Sequence, residues 1–98
     1  MPGKRILDIA CGEGSFLQCL QGKGLATYGT DISQKAVEIA RGLNPESHIL
    51  VADGEYLLWE DNCFDYVTCL GNLEHFPNPD KGLKEIARVL KSSRLSII

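Results

Sequence analysis

The clearest indication of the fold is the sequence Ile6-Leu7-Asp8-Ile9-Ala10-Cys11-Gly12-Glu13-Gly14. Its first five residues belong to an apolar run, Lys4 to Ala10, that predicts a buried β-strand. After the glycines, Phe16, Leu17 and Leu20 recur at helical spacing, which predicts a helix over residues 15–21. Because glycine has no Cβ, a ligand can approach the backbone closely between strand and helix. The stretch therefore predicts a pocket for the nucleoside end of a small cofactor.

The glycine spacing narrows the class of ligand. A dinucleotide fingerprint requires G-x-G-x-x-G, but Gly12 and Gly14 are followed by Leu17 at the third glycine position. That third glycine allows the strand and helix to pack closely at a pyrophosphate, so Leu17 disfavours a ligand of that type. A P-loop is excluded more firmly because no Gly-Lys-Ser/Thr sequence follows the glycines.

Strand-like and helix-like segments alternate along the rest of the chain. Such alternation predicts an α/β fold, in which right-handed crossovers join parallel strands and helices cover both faces of the sheet. Strands are predicted at Lys4–Ala10, Ala26–Thr30, His48–Ala52, Phe64–Leu70 and Arg94–Ile98. Helices are predicted over residues 15–21, from the N-cap Ser33 to Gly42 or Asn44, and over residues 80–90.

The loops that follow the strands are expected to meet at one place. In parallel sheets, ligands bind beyond the carboxyl ends of the strands, at the switch point next to the first strand. The loops predicted at this edge are residues 10–15, 31–33, 53–55 and 70–76.

Two acidic residues stand at the ends of the first two predicted strands. Asp31 can accept both hydroxyls of a ribose in charge-assisted hydrogen bonds. Alternatively it caps the helix that starts near Ser33, although Ser33 is itself a suitable N-cap. Asp8 would place negative charge near a cationic part of the ligand, or orient the glycine loop by accepting its backbone N–H groups.

A third acidic residue, Asp53, follows the third predicted strand. It fits an acceptor for the exocyclic amine of a purine, with the amide of Gly54 or Glu55 reaching a ring nitrogen. A plain Asp-Gly turn is an equally good interpretation of the same residues.

Composition excludes several classes of function. The 98 residues are enough for one small domain, and the net charge of −3 provides no basic field for a nucleic-acid partner. No apolar run approaches the roughly 18 residues of a membrane span, and no signal peptide follows Met1. We therefore expect a cytoplasmic protein that neither binds nucleic acid nor spans a membrane.

The cysteines indicate a reducing compartment rather than a metal site. Cys11, Cys19, Cys63 and Cys69 have irregular separations and no C-x-x-C or Cys/His ligand spacing. Their neighbours are mostly apolar, which predicts partly buried free thiols. The alternative is that one of them is reactive.

Several motifs together resemble those of one family. Residues 6–14 are similar to the first motif, D-x-G-C-G-x-G, of class I S-adenosylmethionine-dependent methyltransferases, and Asp31 falls where that family keeps its ribose-binding acid. Further similar segments follow in order over nearly the whole chain. They are Ala52-Asp53-Gly54-Glu55 (the adenine-contacting segment), Asn62-Cys63-Phe64-Asp65-Tyr66-Val67 (N-S-F-D-x-V), Leu73-Glu74-His75-Phe76 (L-x-H) and Ile86-Ala87-Arg88-Val89-Leu90-Lys91 (the helix before strand five).

This resemblance implies a Rossmann-like doubly wound sheet of strand order 3-2-1-4-5 and S-adenosyl-L-methionine as cofactor, with S-adenosyl-L-homocysteine as product. It also implies methyl transfer to a small-molecule acceptor. His75 would lie near the sulfonium methyl, either as a general base or as a wall of the pocket. The implied cofactor-binding residues are Asp8, Ala10, Cys11, Gly12, Gly14, Asp31, Ile32, Asp53, Gly54, Glu55, Leu70 and His75.

The chain departs from the family pattern at three places. Ala10 replaces a frequent glycine, and Ser92-Ser93-Arg94 replaces a Pro-Gly-Gly turn. The family normally continues after strand five into antiparallel strands that carry part of the substrate site. We therefore expect residues 1–98 to form a single, incomplete domain: either the chain is a fragment of a longer protein, or a second copy or another partner covers the fifth-strand edge.

Two other functions fit the same residues. One is a module that binds S-adenosylmethionine without catalysis. The other is a nicotinamide-dependent dehydrogenase, which Leu17 and the short chain disfavour.

Overall fold

The protein forms one parallel sheet whose middle strand carries the glycine loop. A computed structural model describes residues 4–70 and 73–97, with residues 92–97 described by backbone alone. The strands are β1 (Arg5–Ile9), β2 (Ala26–Asp31), β3 (His48–Val51), β4 (Phe64–Thr68) and β5 (Leu90–Ile97), in the order β3-β2-β1-β4-β5. The helices are α1 (Ser15–Cys19), α2 (Gln34–Leu43) and α3 (Pro79–Val89), and a short 3-10 turn spans Leu73–His75.

The α/β class and the strand order 3-2-1-4-5 are confirmed. Every strand pairing in the described part of the chain is parallel. The register sets Asp8 beside Gly29 on β2 and beside Thr68 on β4. Asp31 lies at the end of β2 beside Val51, so Asp8 and Asp31 reach the same edge of the sheet.

Two apolar clusters fill the two faces of this sheet. One surrounds Phe64 and includes Leu7 and Ile9 of β1 and Ile86 and Val89 of α3. The other lies under α1 and α2 and is built from Cys11, Leu17, Val37, Ala40 and Ile49. Helices on both faces are the doubly wound arrangement that alternating strands and helices predicted.

The largest error in the predicted boundaries concerns β5. The sequence places Leu90 on the apolar face of the last helix and starts the strand at Arg94, but β5 already begins at Leu90. Leu90 pairs with Phe64, and the register then shifts before Tyr66 pairs with Leu95. Strand pairing therefore prevails over the helical spacing at this position.

Several other elements are shorter than predicted, among them β3, β4 and α1. β3 ends at Val51 and β4 at Thr68, so Ala52 and Leu70 belong to loops at the carboxyl edge. α1 ends at Cys19, ahead of Gly22 and Gly24, which both have positive φ. The shorter strands leave more backbone free to form loops at the edge where ligands bind.

Candidate functional site

A cavity of about 310 Å³ opens at the carboxyl edge of the sheet. Its volume falls in the range of small-molecule sites, and its place beside β1 is where parallel sheets bind ligands. The loops after β1, β2, β3 and β4 all contribute to it, as predicted. The lining residues are Ile9, Ala10, Asp31, Ile32, Ala52, Asp53, Gly54, His75, Phe76 and Pro77.

Asp31 is held by two backbone donors. The amide of Gly12 donates to Oδ2 and the amide of Ser33 donates to Oδ1, each at 2.9 Å. The side chain that caps α2 is that of Ser33, whose Oγ accepts from the amide of Ala36 at 3.1 Å. A carboxylate has about four lone-pair sites, so Asp31 keeps acceptor capacity for a pair of hydroxyl donors at the cavity.

The glycine loop has a left-handed backbone at three positions, Ala10 (φ 58°), Gly12 (φ 58°) and Gly14 (φ 89°). At Gly12 a Cβ would meet nothing within 4 Å, so that residue is required by its φ angle alone. At Gly14 a Cβ would lie 2.5 Å from Nδ2 of Asn44. The loop conformation is therefore the one that the glycines predicted, except that alanine adopts it at residue 10.

Asn44 fixes this loop from below, a role that the sequence did not reveal. Its side chain is fully buried, and its Nδ2 donates to the carbonyl oxygens of Gly14 (3.2 Å) and Ala40 (3.0 Å). Its Oδ1 accepts from Gln21 at 2.9 Å. An asparagine at the end of an apolar helix was the one available signal, because asparagine is seldom fully buried unless its hydrogen bonds are satisfied.

Asp8 is buried beneath the loop and is hydrogen-bonded to β4. The hydroxyl of Thr68 donates to its Oδ1 at 2.8 Å, so its partner is a neighbouring strand and not an amide of the glycine loop. Burial raises the pKa of Asp8 to about 6, and the charge of Asp31 adds to this effect. Asp8 is therefore a carboxyl group that a nearby positive charge would help to ionise.

Two of the cysteines are buried thiols of low reactivity. The pKa of Cys11 is raised to about 12 and that of Cys69 to about 11. Burial is the main cause in both, and the charge of Asp8 contributes. The Cys11 side chain packs into the cluster under α1 and α2. Neither group is a thiolate at neutral pH, which agrees with the interpretation of these two residues as structural thiols.

The opposite side of the cavity is formed by Asp53 and the residues after it. Oδ1 of Asp53 accepts from the amide of Glu55 at 2.9 Å, so that amide is already engaged by the turn. The carboxylate of Glu55 is buried and accepts from the amide of Asn78 at 2.8 Å. Asp53 and Gly54 line the cavity as predicted, whereas Glu55 lies behind it.

His75, Phe76 and Pro77 form the third side of the cavity. His75 is exposed and ends the short 3-10 turn after β4. The Phe76 ring packs so tightly that a Cβ at Gly54 or at Gly82 would lie 2.7 Å from it. Sequence reasoning missed Phe76 and Pro77, although two glycines at separate positions were a signal of close packing.

The structure thus divides the predicted cofactor residues into two groups. Those that line the cavity are Ala10, Asp31, Ile32, Asp53, Gly54 and His75. Those that lie outside its lining are Asp8, Cys11, Gly12, Gly14, Glu55 and Leu70. For the second group, direct contact with a cofactor stays a prediction.

The described residues contain neither a candidate metal site nor a helix able to span a membrane. Within residues 4–70 and 73–97, no three His, Cys, Asp or Glu side chains are grouped in a way that could hold a metal ion. No helix in the described part of the chain combines the length and the apolar character needed to cross a membrane.

The fold and the site together define a class of protein. A parallel sheet of order 3-2-1-4-5, a left-handed glycine loop after β1 and a carboxylate at the end of β2 are the parts of a Rossmann-like nucleoside-cofactor domain. Comparison with known families is more specific: the chain belongs to the methyltransferase domain family, which matches residues 7–98.

Individual relatives agree with this assignment. The ubiquinone biosynthesis O-methyltransferase of Thiobacillus denitrificans is 35% identical over 96 residues, which cover 93% of this chain and 41% of the relative. A TehB-like SAM-dependent methyltransferase from Corynebacterium glutamicum has a TM-score of 0.85 at 28% identity, over 99% of this chain and 55% of that one. The cyclase SpnF has a TM-score of 0.88 at 31% identity, over 98% and 38% of the two chains.

The chain is short compared with these proteins. It spans about two fifths of the length of the curated relatives that it matches. The matched part contains the cavity described above, since the family match begins at Leu7 and runs through the whole sheet.

Proposed function

We propose that residues 1–98 form the S-adenosyl-L-methionine-binding core of a methyltransferase that acts on a small molecule, with S-adenosyl-L-homocysteine as product. The observation that carries this proposal is Asp31. Both of its oxygens are fixed by backbone amides while the carboxylate borders the cavity. A preorganised carboxylate at the end of β2 is suited to the two hydroxyls of an adenosyl ribose.

The cavity also fits the adenine end of this cofactor. Asp53 would accept from the exocyclic amine, since its Oδ2 has no hydrogen bond within the described residues while Oδ1 is occupied by the Glu55 amide. Ile32 is 73% exposed and lines the cavity, so it offers an apolar surface to a purine ring. Gly54 and Phe76 close the cavity behind that ring position.

The methionine end would lie over the glycine loop. The carbonyl oxygens of Ala10 and Leu70 would accept from the ammonium group, and Asp8 would provide negative charge from below. The left-handed backbone at Ala10 turns the chain away from β1 at this point. The cofactor supplies an electrophilic methyl group on a sulfonium.

What this chain's residues contribute to transfer is mainly position. Methyl transfer requires in-line alignment within about 3–3.5 Å, which a rigid cavity provides without a dedicated catalytic side chain. His75 is exposed and lines the cavity, and it would accept a proton from an acceptor hydroxyl. The names of the curated relatives, which are O-methyltransferases, support a hydroxyl-bearing small-molecule acceptor.

A second candidate function is cofactor binding without methyl transfer. The observation in its favour is SpnF, which shares the fold and is described as a cyclase.

The test is calorimetric titration of the chain with S-adenosylmethionine, S-adenosylhomocysteine and NAD. We expect the adenosyl compounds to bind and NAD not to bind. Asp31→Asn should weaken adenosyl binding at least tenfold, because it removes charge-assisted bonds to the ribose. The control is Glu60→Gln, which neutralises an exposed acidic residue on the loop before β4. Binding of NAD alone, or an unchanged affinity in Asp31→Asn, would contradict the proposal.

A further inference from the structure

The segment between β3 and β4 is fastened along α3 by polar contacts. The amide of Leu57 donates to Oε1 of Glu85 at 3.3 Å, and Arg88 donates to the carbonyl oxygens of Leu57 (3.2 Å) and Trp59 (2.8 Å). Arg88 also pairs with Asp61 at 2.9 Å. None of the residues in these contacts lines the cavity.

Glu55 makes the corresponding contact at the cavity end. Glu55 as a whole residue is only 8% exposed, and its Oε2 accepts from the amide of Asn78 at 2.8 Å. Asn78 directly follows Pro77 of the cavity lining and is the N-cap of α3, with its Oδ1 accepting from Lys81. A buried carboxylate on the first amides of a helix is a strong, charge-assisted contact.

The same residue is tied to the other side of the cavity through its backbone. The amide of Glu55 donates to Asp53, and Gly54 lies between them against the Phe76 ring. Glu55 therefore joins the Asp53–Gly54 side of the cavity to the His75–Pro77 side, although it lines neither. The separation of these two sides determines the width of the cavity where the adenine and the reacting methyl would lie.

We propose that Glu55 is a positioning residue: by holding Asn78, it keeps residues 75–77 at the correct distance from Asp53 and sets the affinity for the adenosyl compound. This inference rests on the proposed function, since the ligand of the cavity is taken from it. Glu85 provides the matched comparison. It is also a carboxylate that accepts a backbone amide between the same two elements, but its partner Leu57 lies outside the cavity.

The experiment compares Glu55→Ala, Glu55→Gln and Glu85→Ala by calorimetry with S-adenosylhomocysteine and by thermal unfolding. We expect Glu55→Ala to weaken binding about tenfold, which corresponds to the loss of one charge-assisted hydrogen bond. Glu55→Gln keeps an oxygen acceptor for Asn78 and should stay within about threefold of wild type. Glu85→Ala should lower the unfolding temperature while leaving the affinity within about twofold.

A second measurement reports the position of the cavity wall without any ligand. The chain has two histidines, His75 in the wall and His48 at the start of β3, where it stacks on Tyr28. The imidazole proton resonances of His75 should shift in Glu55→Ala, while those of His48 should not. In Glu85→Ala neither set should move.

The outcomes separate the two proposals. If wild type binds no adenosyl compound, the proposed function fails, and the affinity part of the inference fails with it. The His75 resonances then still decide whether Glu55 holds residues 75–77 in place. If wild type binds and Glu55→Ala binds as tightly, or if Glu85→Ala weakens binding equally, Glu55 has only a structural role. An unmoved His75 resonance in Glu55→Ala would also overturn the inference.

Discussion

The Asp31 side of the cavity is held differently from the other two sides, which pack against each other at Gly54 and Phe76 and together form the Phe76 side. On the Asp31 side, the backbone amides of Gly12 and Ser33 fix the carboxylate. These two residues lie in the loops that follow the paired strands β1 and β2. On the Phe76 side, a ring packs between two glycines and a buried carboxylate reaches across to the start of α3. The first side depends on loop conformation, whereas the second depends on side-chain packing between separate elements.

The two sides should therefore respond to different kinds of substitution. Substitutions on the Asp31 side should act through charge and backbone conformation, with little change in packing. Substitutions on the Phe76 side should act through steric fit, because a Cβ at Gly54 would meet both Phe76 and Ile9 within 2.9 Å. Changes at Asp8, Gly54 and Ala10 test this contrast, with expected effects that decrease in that order.

The largest effect concerns the pH dependence of stability at Asp8. Its folded pKa of about 6 lies above the ordinary value of 3.8, because burial disfavours the ionised form. Below pH 3.8 the carboxyl is protonated in both states and causes no loss. Between pH 3.8 and 6 the unfolded chain releases its proton first, so stability falls as pH rises, by on the order of 3 kcal/mol in total.

Asp8→Asn should remove this loss. The free energy of unfolding of wild type, minus that of the variant, should fall by on the order of 3 kcal/mol between pH 3.5 and pH 7.5 in urea titrations. The matched control is Asp80→Asn, which makes the same change of side chain at an exposed aspartate in the first turn of α3. If Asp8 also attracts the cofactor's cationic end, the same variant should bind adenosyl compounds more weakly at neutral pH. A pH-independent difference for Asp8→Asn would show that its carboxyl is not perturbed in the folded chain.

Much of the Asp31 side could be predicted from sequence because each of its parts has a local sequence signal. The glycine loop, the acid at the end of β2 and the Ser33 cap are each defined by residues next to a strand or a helix end. The parallel order followed from the alternation of segments and from the resemblance of the motifs. These features depend on short-range rules that a single sequence displays.

The rest could not be predicted because it depends on contacts between distant residues. Glu55 meets Asn78 across 23 positions and Thr68 meets Asp8 across 60. Nothing in the local pattern distinguishes a glutamate that lines a cavity from one that lies behind it. The start of β5 at Leu90 has the same explanation, since only pairing with Phe64 removes that residue from the preceding helix.

The intermediate effect tests steric fit on the Phe76 side. Gly54→Ala should destabilise the protein by about 1–3 kcal/mol, because the new methyl group would overlap the Phe76 ring at 2.7 Å. Phe76→Leu removes part of that ring, so the double variant should lose less stability than the sum of the two single changes. Urea denaturation of all four proteins measures the coupling. Additive losses would mean that Gly54 and Phe76 do not share the space that this side of the cavity requires.

The smallest effect concerns Ala10, the left-handed alanine of the glycine loop. Its φ of 58° costs an L-residue about 1–2 kcal/mol relative to glycine, while glycine loses about 0.5–1 kcal/mol more backbone entropy on folding. Ala10→Gly should therefore stabilise the fold by about 0.5 kcal/mol, as measured by urea denaturation.

The control is Gly42→Ala. Gly42 lies in α2, where a Cβ would meet nothing within 4 Å, so this change should also stabilise the protein, through helix propensity alone. The two variants should differ in ligand binding, because residue 10 lines the cavity and residue 42 does not. Destabilisation by Ala10→Gly would mean that the alanine methyl makes contacts whose loss exceeds the relief of strain, and the Asp31 side would then depend on packing as the Phe76 side does.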